Sequence, residues 1–438
     1  MPHPSGQTRQ LATLPGVTGI LEELQWRGLV GQSTDQAELA RALDAGPLTV
    51  YCGFDPTAPS LHFGNLVQLV VLRHLQRAGH RVICLVGGST GLIGDPRPTS
   101  ERVLKTKEQT AQWVSRIAEQ VRPFLDFDGP NPAILVNNLD WTQDLTALDF
   151  LRDVGKHFRV NQMIRKDAVA ARLNSEQGIS YTEFSYQLLQ GLDYLHLFRE
   201  YGCTLQTGGQ DQWGNLTAGV DLIRRVEGES VHALTTPLIV DSAGQKFGKS
   251  EGNAVWLSAD MTSPYAFYQY WVNVEDASVL HLLRVFTDVD ADQIAALETE
   301  LRERPGARRA QRVLAREVTA LVHGEQAAEQ VIRASQALFG RGDLAQIDHD
   351  TLSAALQELP TAHIDSVGQP LVDLYVAAGL AAGKAAARRM INEGGAYLNN
   401  ERVTDVERAL SEQDMLGSRF AVLRRGKRSL AAVVLDSI

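Results

Sequence analysis

The segment between Leu48 and Val86 most narrowly limits what this chain can fold into. A short, mostly apolar run ends at Cys52, apolar residues with helical spacing follow over 66–78, and a second apolar run begins at Val82. The two short runs have the length of buried strands. A helix that connects two strands lets them lie side by side in the same direction, so the pattern predicts a parallel strand–helix–strand unit.

Two further apolar runs, at 133–136 and 204–207, end in the turn residues Asn137-Asn138 and Gly208-Gly209. They extend the predicted sheet. Open parallel sheets bind ligands beyond the carboxyl ends of their strands, so we expect functional residues there. The predicted fold class is α/β, with a Rossmann-like parallel-sheet catalytic domain over residues 1–257.

The rest of the chain divides by its pattern of apolar and turn residues. Residues 258–338 have helical spacing and predict a helical domain. Residues 339–370 contain several glycines and prolines and predict a linker with one helix near 351–359. Residues 371–438 predict a compact closing domain.

Composition excludes several classes of protein. The chain has 438 residues, 44% of them hydrophobic, and no apolar run approaches the roughly 20 residues that span a membrane. The N-terminus lacks the basic-then-apolar order of a secretion signal, which predicts a cytoplasmic protein. Its three cysteines are widely spaced and match neither a disulfide framework nor zinc-ligand pairs, so we expect reduced thiols and no metal site.

Charge is unevenly distributed along the chain. The net charge is −10, but residues 384–428 contain ten basic and six acidic side chains, so this region carries about +4. Phosphate backbones bind Lys and Arg, which makes the terminal region the candidate for nucleic-acid contact.

Two short motifs contain groups suited to a polyphosphate. In HFGN, which begins at His62, Gly64 lets a ligand approach the backbone of a helix start, while His62 and Asn65 can donate hydrogen bonds. In KFGKS, Lys246 and Lys249 flank a glycine, as in loops that close over a transferring phosphate. Taken singly, the first motif could be a helix-capping turn and the second a solvated basic loop.

These motifs resemble the HIGH and KMSKS signatures of class I aminoacyl-tRNA synthetases. Further segments narrow the resemblance to the bacterial tyrosyl-tRNA synthetase family, and it covers the chain from about Leu21 onward. The matching segments are YCGFDPTAPSLHFGN, LVGGSTGLIGDP, FLRDVGKHF, TEFSYQLLQGLDYL, GGQDQWGN and KFGKSEGNAVWL. The resemblance implies ATP-dependent activation of L-tyrosine and its transfer to tRNA(Tyr).

The resemblance also implies a tyrosine site. The spacing of Tyr186, Gln190 and Asp193 independently places them on one face of a helix. An amphipathic helix with a polar solvent face is the alternative reading, although Asp193 among apolar neighbours suggests a recessed acceptor. In the family, residues matching Tyr51 and Asp193 bind the phenolic hydroxyl. Those matching Asp95, Tyr186 and Gln190 hold the ammonium group, and one matching Gln212 contacts the carboxylate or the adenylate.

For the nucleotide, the resemblance implies ATP as a substrate with Mg²⁺ and no tightly bound cofactor. Thr57 and His62 match groups that contact the γ-phosphate, and Arg102 matches a pyrophosphate-contacting arginine. Trp213 is expected in the core. The other residues expected to bind ATP are Cys52, Gly53, Asp55, Gly64, Asn65, Gly209, Asp211, Lys246, Lys249 and Ser250.

The sequence departs from the family pattern at two places. Asn65 replaces the second histidine of HIGH, so that position can donate a hydrogen bond but cannot carry a charge. The loop GDPRPTSER lacks the lysine found in many relatives, and Arg97 is the candidate replacement.

The closing domain resembles the alpha-L RNA-binding fold, a small α+β module; a solvated basic helix is the alternative. The resemblance implies tRNA contact through Lys384, Arg388, Arg389, Arg424, Arg425, Lys427 and Arg428. It also implies a homodimer with an interface near 150–165, although apolar residues there could equally pack internally.

Three other functions compete with this reading. A tryptophan-specific synthetase shares the fold, but Tyr51 and Asp193 favour a phenol. A nucleotide adenylyltransferase could use the first motif without needing a basic terminal domain. A non-enzymatic RNA-binding relative could retain the motifs after loss of activity.

Overall fold

The computed structural model describes residues 19–97, 99–240, 249–250, 253–339, 342–426 and 429–436. The chain forms two compact units. The first comprises the residues up to Met261 together with Glu275–Ala310, and the second comprises Thr262–Val274 together with Gln311–Ile438.

The described residues contain strands β1 to β12 and helices α1 to α19. The strands are β1 Thr49–Phe54, β2 Arg81–Val86, β3 Ile134–Asn137, β4 Cys203–Gly209, β5 His232–Thr236, β6 Lys249–Ser250, β7 Asn253–Ala254, β8 Thr361–Ile364, β9 Ala396–Leu398, β10 Glu401–Arg402, β11 Phe420–Arg425 and β12 Ser429–Leu435. The helices are α1 Ile20–Arg27, α2 Gln36–Ala45, α3 Phe63–Arg77, α4 Thr90–Ile93, α5 Lys107–Val121, α6 Leu139–Thr142, α7 Ala147–Asp149, α8 Val160–Met163, α9 Asp167–Leu173, α10 Tyr181–Tyr201, α11 Trp213–Val226, α12 Pro264–Val272, α13 Asp276–Phe286, α14 Ala291–Glu303, α15 Arg309–His323, α16 Glu325–Leu338, α17 His349–Gln357, α18 Leu371–Ala377 and α19 Lys384–Asn392.

A parallel five-stranded sheet forms the centre of the first unit, with strand order β3-β2-β1-β4-β5. Cys52 on β1 is in register with Cys84 on β2 and with Thr207 on β4. The predicted strand–helix–strand unit and the Rossmann-like sheet are therefore confirmed. The order reverses between β1 and β4, and such a reversal opens the crevice where α/β sheets bind ligands.

Burial explains why β1 is the central strand. Its residues are buried except for Gly53, and helix α3 packs on it through a buried, mostly apolar face. Parallel strands that are covered on both faces are apolar along their whole length, and this pattern allowed β1 to be predicted from the sequence. Cys52, Cys84 and Cys203 are all buried free thiols.

Helices α13 and α14 belong to the first unit, although the sequence placed them in a helical domain over 258–338. A buried hydrogen-bond network accounts for the difference. Arg27 on α1 pairs with Glu23 at 2.9 Å and donates to the backbone oxygens of Arg284 and Thr287. These bonds join α1 to the end of α13, and no local sequence pattern reveals them.

The second unit combines α12, α15 and later helices with a mixed sheet of order β10-β9-β11-β12-β8. Strand β8 is parallel to β12, while the other pairings are antiparallel. Helix α17 lies close to the expected helix near 351–359. However, the range expected to be a linker, 339–370, also contains β8, so the terminal sheet begins before residue 371.

Across the described ranges, no helix combines the length and apolar character needed to cross a membrane.

Candidate functional site

HFGN begins helix α3 through a reciprocal cap. Nδ1 of His62 accepts a hydrogen bond from the backbone N–H of Gly64 at 3.0 Å, and Oδ1 of Asn65 accepts from the backbone N–H of His62 at 3.1 Å. Because Nδ1 accepts, a neutral His62 ring carries its proton on Nε2. Asn65 therefore stabilises the helix start, which agrees with the helix-capping turn given above as the alternative interpretation of this motif.

The segment that follows KFGKS pairs with the segment around HFGN. The backbone N–H of Phe63 donates to Val255 at 3.1 Å, and that of Leu257 donates to Leu61 at 2.9 Å. Lys246 lies outside the described residues. Lys249 and Ser250 form β6, which pairs with β7, but their side chains are also outside the description. The backbone thus connects the two motifs through residues 253–257.

Tyr51 on β1 and Asp193 on α10 are both buried, with only 1% and 2% of their surfaces exposed. Burial and the nearby Asp193 carboxylate both raise the pKa of Tyr51. The Tyr51 hydroxyl has no hydrogen-bond partner among the described residues. Asp193 accepts from Nδ2 of Asn138 and from Nε1 of Trp141, each at 2.9 Å. Burial raises the pKa of Asp193 to about 7, although these two donors oppose the rise.

The sequence analysis named Asn138 only as a turn residue after a predicted strand, and it did not name Trp141. Asn138 follows β3, at the strand edge where functional residues were expected, and this position was the available signal. Trp141 had no such signal, because it lies 52 residues before its partner. Its indole stacks on His196 with ring centres 4.2 Å apart.

A second carboxylate, Asp55, lies at the end of β1 next to the Gly87-Gly88 turn. The hydroxyls of Thr90 and Tyr186 donate to it at 2.6 and 2.7 Å. Burial raises the pKa of Asp55, and these two hydrogen bonds oppose that rise. A Cβ on Gly87 would lie 2.0 Å from Oδ1 of Asp55, so the close approach requires glycine.

A third carboxylate, Asp95, accepts from Nε2 of Gln212 at 2.9 Å and from Nδ2 of Asn215 at 3.1 Å. The ammonium group of Lys166 lies 3.9 Å from Oδ1 of Asp95. Burial lowers the pKa of Lys166, while Asp95 raises it. The structure therefore brings together Asp95 and Gln212, two of the residues predicted to bind tyrosine, and adds Asn215 and Lys166.

Other expected residues surround these carboxylates. Oε1 of Gln190 is buried and has no hydrogen-bond partner in the described part of the chain. Tyr186 bonds to Asp55 through its hydroxyl, whereas the resemblance placed it beside Asp95 at the ammonium group. Thr57 is exposed and Gly209 ends β4. Burial raises the pKa of the Cys52 thiol to about 12.

Comparison with known proteins now identifies the family. The family model for class I tRNA synthetases of the tryptophan and tyrosine group matches residues 43–340. A second model, the tyrosine–tRNA ligase SYY-like C-terminal domain, matches residues 351–433.

The chain belongs to the class I tRNA synthetases of the tryptophan and tyrosine group.

Relatives of this synthetase match it over nearly its whole length. A tyrosine–tRNA ligase of Streptomyces griseus is 59% identical over 423 residues, covering 96% of this chain and 100% of the relative. One from Bifidobacterium longum strain DJO10A is 54% identical over 95% of the chain and 97% of the relative. A truncated mitochondrial tyrosyl-tRNA synthetase of Aspergillus nidulans, known as a crystal structure, has a TM-score of 0.67 and 29% identity. It covers 74% of this chain and 95% of that one.

The basic residues of the synthetase's terminal domain differ in exposure. Arg388 and Arg389 are exposed on α19, and Arg425 is exposed at the end of β11. Arg424 is only 9% exposed and its guanidinium lies 3.8 Å from the centre of the Tyr397 ring. Arg424 therefore packs within the domain. Lys384 is exposed and forms a 2.7 Å ion pair with Asp373, while Lys427 and Arg428 lie outside the described residues.

Proposed function

We propose that this chain is a tyrosine–tRNA ligase. The tyrosine carboxylate attacks the α-phosphate of ATP, which yields tyrosyl-adenylate and pyrophosphate. A hydroxyl of the 3′-terminal ribose of tRNA(Tyr) then attacks the adenylate, takes the tyrosyl group and releases AMP. No side-chain nucleophile is required, because the enzyme aligns the reactants and stabilises the developing phosphate charge. The observation that carries the proposal is the buried pair of Tyr51 and Asp193.

This pair suits the phenolic hydroxyl of tyrosine. Asn138 and Trp141 both donate to Asp193, so they favour its ionised form, which can accept a hydrogen bond from a phenol. The Tyr51 hydroxyl supplies a second polar group at the same place. Phenylalanine offers no hydroxyl to either group, so the buried Tyr51 hydroxyl would gain no partner and Asp193 no third donor. Tyrosyl-tRNA synthetases are themselves the standard example of this kind of discrimination.

The rest of the amino acid would lie toward Asp95. Its carboxylate, with Gln190 and Tyr186, is proposed to bind the ammonium group, and Gln212 to contact the tyrosine carboxylate. The hydroxyl of Tyr186 is bonded to Asp55, so we propose that Tyr186 orders Asp55 as well as lining the tyrosine site.

ATP is proposed to bind across the reversal point of the sheet and the start of α3. Backbone N–H groups at a helix start favour phosphate, so Gly64 and the caps His62 and Asn65 would face the triphosphate. Mg²⁺ would arrive with ATP and be held chiefly by phosphates and water. The ribose and adenine groups are assigned to Cys52, Gly53, Asp55, Gly209 and Asp211, and the leaving phosphates to Thr57, Arg102, Lys246, Lys249 and Ser250.

The terminal domain is proposed to bind tRNA through its exposed basic face. Lys384, Arg388, Arg389 and Arg425 are the described residues whose exposure suits phosphate contact. Arg424 is assigned instead to the internal packing of the domain, and Lys427 and Arg428 remain proposed contacts. A tRNA-charging enzyme works where translation takes place, which fits a cytoplasmic location.

We also propose a homodimer. Apolar side chains near the expected interface are unusually exposed, with Leu148 at 80%, Leu151 at 49%, Val160 at 62% and Ile164 at 39%. Large exposed apolar patches mark interaction surfaces. Sedimentation equilibrium of the full chain tests this proposal, and a monomer at micromolar concentration would contradict it.

Exchange of labelled pyrophosphate into ATP, measured without tRNA, tests the proposed reaction. We expect exchange with tyrosine and none above background with phenylalanine or tryptophan. Exchange with tryptophan alone would indicate the related specificity. No exchange with any amino acid would support a non-enzymatic RNA-binding protein.

A further inference from the structure

A buried ion pair lies behind the loop that carries Arg102. The side chains of Arg172 and Glu183 are 2% and 1% exposed, and Nη1 of Arg172 lies 2.9 Å from Oε2 of Glu183. Taking two charges out of water costs several kcal/mol, and this cost often equals or exceeds their attraction. The pair is therefore a weak source of stability, and its other hydrogen bonds indicate its role.

The other hydrogen bonds of Arg172 and Glu183 are made to backbone groups. Oε1 of Glu183 accepts from the backbone N–H of Arg102 at 2.7 Å. Nη1 of Arg172 also lies 3.4 Å from the backbone oxygen of Arg97, and its Nε donates to Gly178 at 2.9 Å. The pair thus bonds the described part of the loop at two points, the backbone oxygen of Arg97 and the backbone N–H of Arg102.

The loop also connects to the amino-acid site. Nε of Arg102 donates to the backbone oxygen of Asp95 at 2.8 Å, and the Asp95 carboxylate is held by Gln212 and Asn215. A displaced Arg102 backbone would move its guanidinium relative to Asp95. Misplacement by about 1 Å can cost about 10²-fold in rate when a group acts in the transition state.

We propose that the Arg172–Glu183 ion pair is a positioning device that sets the Arg102 guanidinium for contact with the departing pyrophosphate. The proposal rests on the proposed function, in which Arg102 makes that contact. The pair acts through Arg102, so we expect it to govern the kcat of adenylate formation and to leave tyrosine affinity unchanged.

Two double variants isolate the hydrogen bond to Arg102. Arg172→Met with Glu183→Gln removes both charges but keeps an acceptor for the Arg102 N–H, whereas Arg172→Met with Glu183→Leu removes the acceptor as well. We expect the leucine variant to have at least 10-fold lower kcat in tyrosine-dependent pyrophosphate exchange than the glutamine variant. The dissociation constant for tyrosine, measured by equilibrium dialysis without ATP, should agree within about 2-fold.

A second buried Arg–Glu pair of the first unit is a matched control. Glu23 and Arg27 are 8% and 5% exposed and 2.9 Å apart, and Arg27 also donates to two backbone oxygens. Among the described residues, neither side chain forms a hydrogen bond to the loop. Glu23→Leu with Arg27→Met should change Tm without a comparable loss of kcat. Equal losses of kcat in both sites would show a general structural effect and overturn the proposal.

Arg102→Ala provides a second, independent test. In this background the difference between the glutamine and leucine variants should disappear, because the pair acts through the missing guanidinium. If the kcat difference between the glutamine and leucine variants keeps its full size in the Arg102→Ala background, the proposal is overturned. It is also overturned if the loss of activity is explained by weaker tyrosine binding. If the leucine variant does not fold, Arg172→Met with Glu183→Ala, which also removes the acceptor, replaces it in the same cycle. Wild-type exchange with tyrosine remains the separate test of the proposed function.

Discussion

The amino-acid side and the phosphate side of the candidate site are built differently. Around Asp193 and Tyr51, buried side chains bond to one another, and the network continues through Asn138 and Thr90 to Asp55. Around His62 the described groups are backbone N–H donors and capping side chains, and Thr57 is exposed. Recognition of a small hydroxyl requires fixed, dry polar groups, whereas a triphosphate can be held by a helix start and exposed cations.

The largest effect is expected when the phosphate side is broken. Thr57→Ala with His62→Ala should slow adenylate formation by about 10²-fold or more, because both groups are proposed to stabilise charge on the leaving pyrophosphate. Tyrosine affinity should remain nearly intact. Single-turnover measurement of adenylate checks the rate, and an unchanged rate would remove both residues from the phosphate site.

Breaking the amino-acid side should change specificity. Asp193→Ala should lower kcat/KM for tyrosine by about 10²-fold, because the buried phenolic hydroxyl of the substrate loses its carboxylate acceptor. The kcat/KM for phenylalanine should fall much less, so the ratio of kcat/KM for tyrosine to that for phenylalanine becomes smaller. Exchange assays with both amino acids measure this ratio. If the ratio is the same in the variant as in the wild type, Asp193 does not recognise the hydroxyl.

The terminal domain should affect only the second step. Arg388→Glu with Arg389→Glu should weaken charging of tRNA by about 10-fold and reduce the salt dependence of kcat/KM, since each charged phosphate contact contributes to that slope. Pyrophosphate exchange should not change. Arg402→Glu is a control with an exposed basic residue of the same domain outside the proposed set. A loss of equal size in the control would indicate general electrostatic attraction.

The smallest effect concerns pH. Folding raises the pKa of Asp193 to about 7 from 3.8, so the folded protein retains a proton there over a range in which the unfolded chain has lost it. Stability therefore falls as pH rises from about 4 to about 7. Tyrosine binding should instead become stronger as pH rises, because the ionised Asp193 carboxylate accepts a hydrogen bond from the phenolic hydroxyl. The KM for tyrosine should therefore rise as pH falls below about 7.

Asp193→Asn should flatten this pH profile, and Trp141→Phe should move its midpoint upward, because one donor to the carboxylate is lost. Steady-state KM values between pH 5.5 and 8.5 check both shifts. If the asparagine variant keeps the wild-type dependence of KM on pH, a group other than Asp193 causes that dependence.

The sequence predicted the parallel sheet because strands buried on both faces are apolar without interruption, and β1 and β2 show this locally. It also placed Tyr186, Gln190 and Asp193 on one helix, which α10 confirms. It could not supply Trp141 as a partner of Asp193 or Arg27 as a partner of Thr287, since those bonds join residues 52 and 260 positions apart. Strand β8 was missed because its four residues are surrounded by prolines and glycines that favour a linker.

Asn65 gives the start of α3 a property that a second histidine would not. An imidazole there would gain a positive charge between pH 7 and 5, whereas an amide keeps the same charge and the same donor at every pH at which the protein is folded. The contribution of residue 65 to triphosphate binding should therefore stay constant when the pH varies within this range. Asn65→His would add a second pH dependence to adenylate formation, separate from the one expected of Asp193.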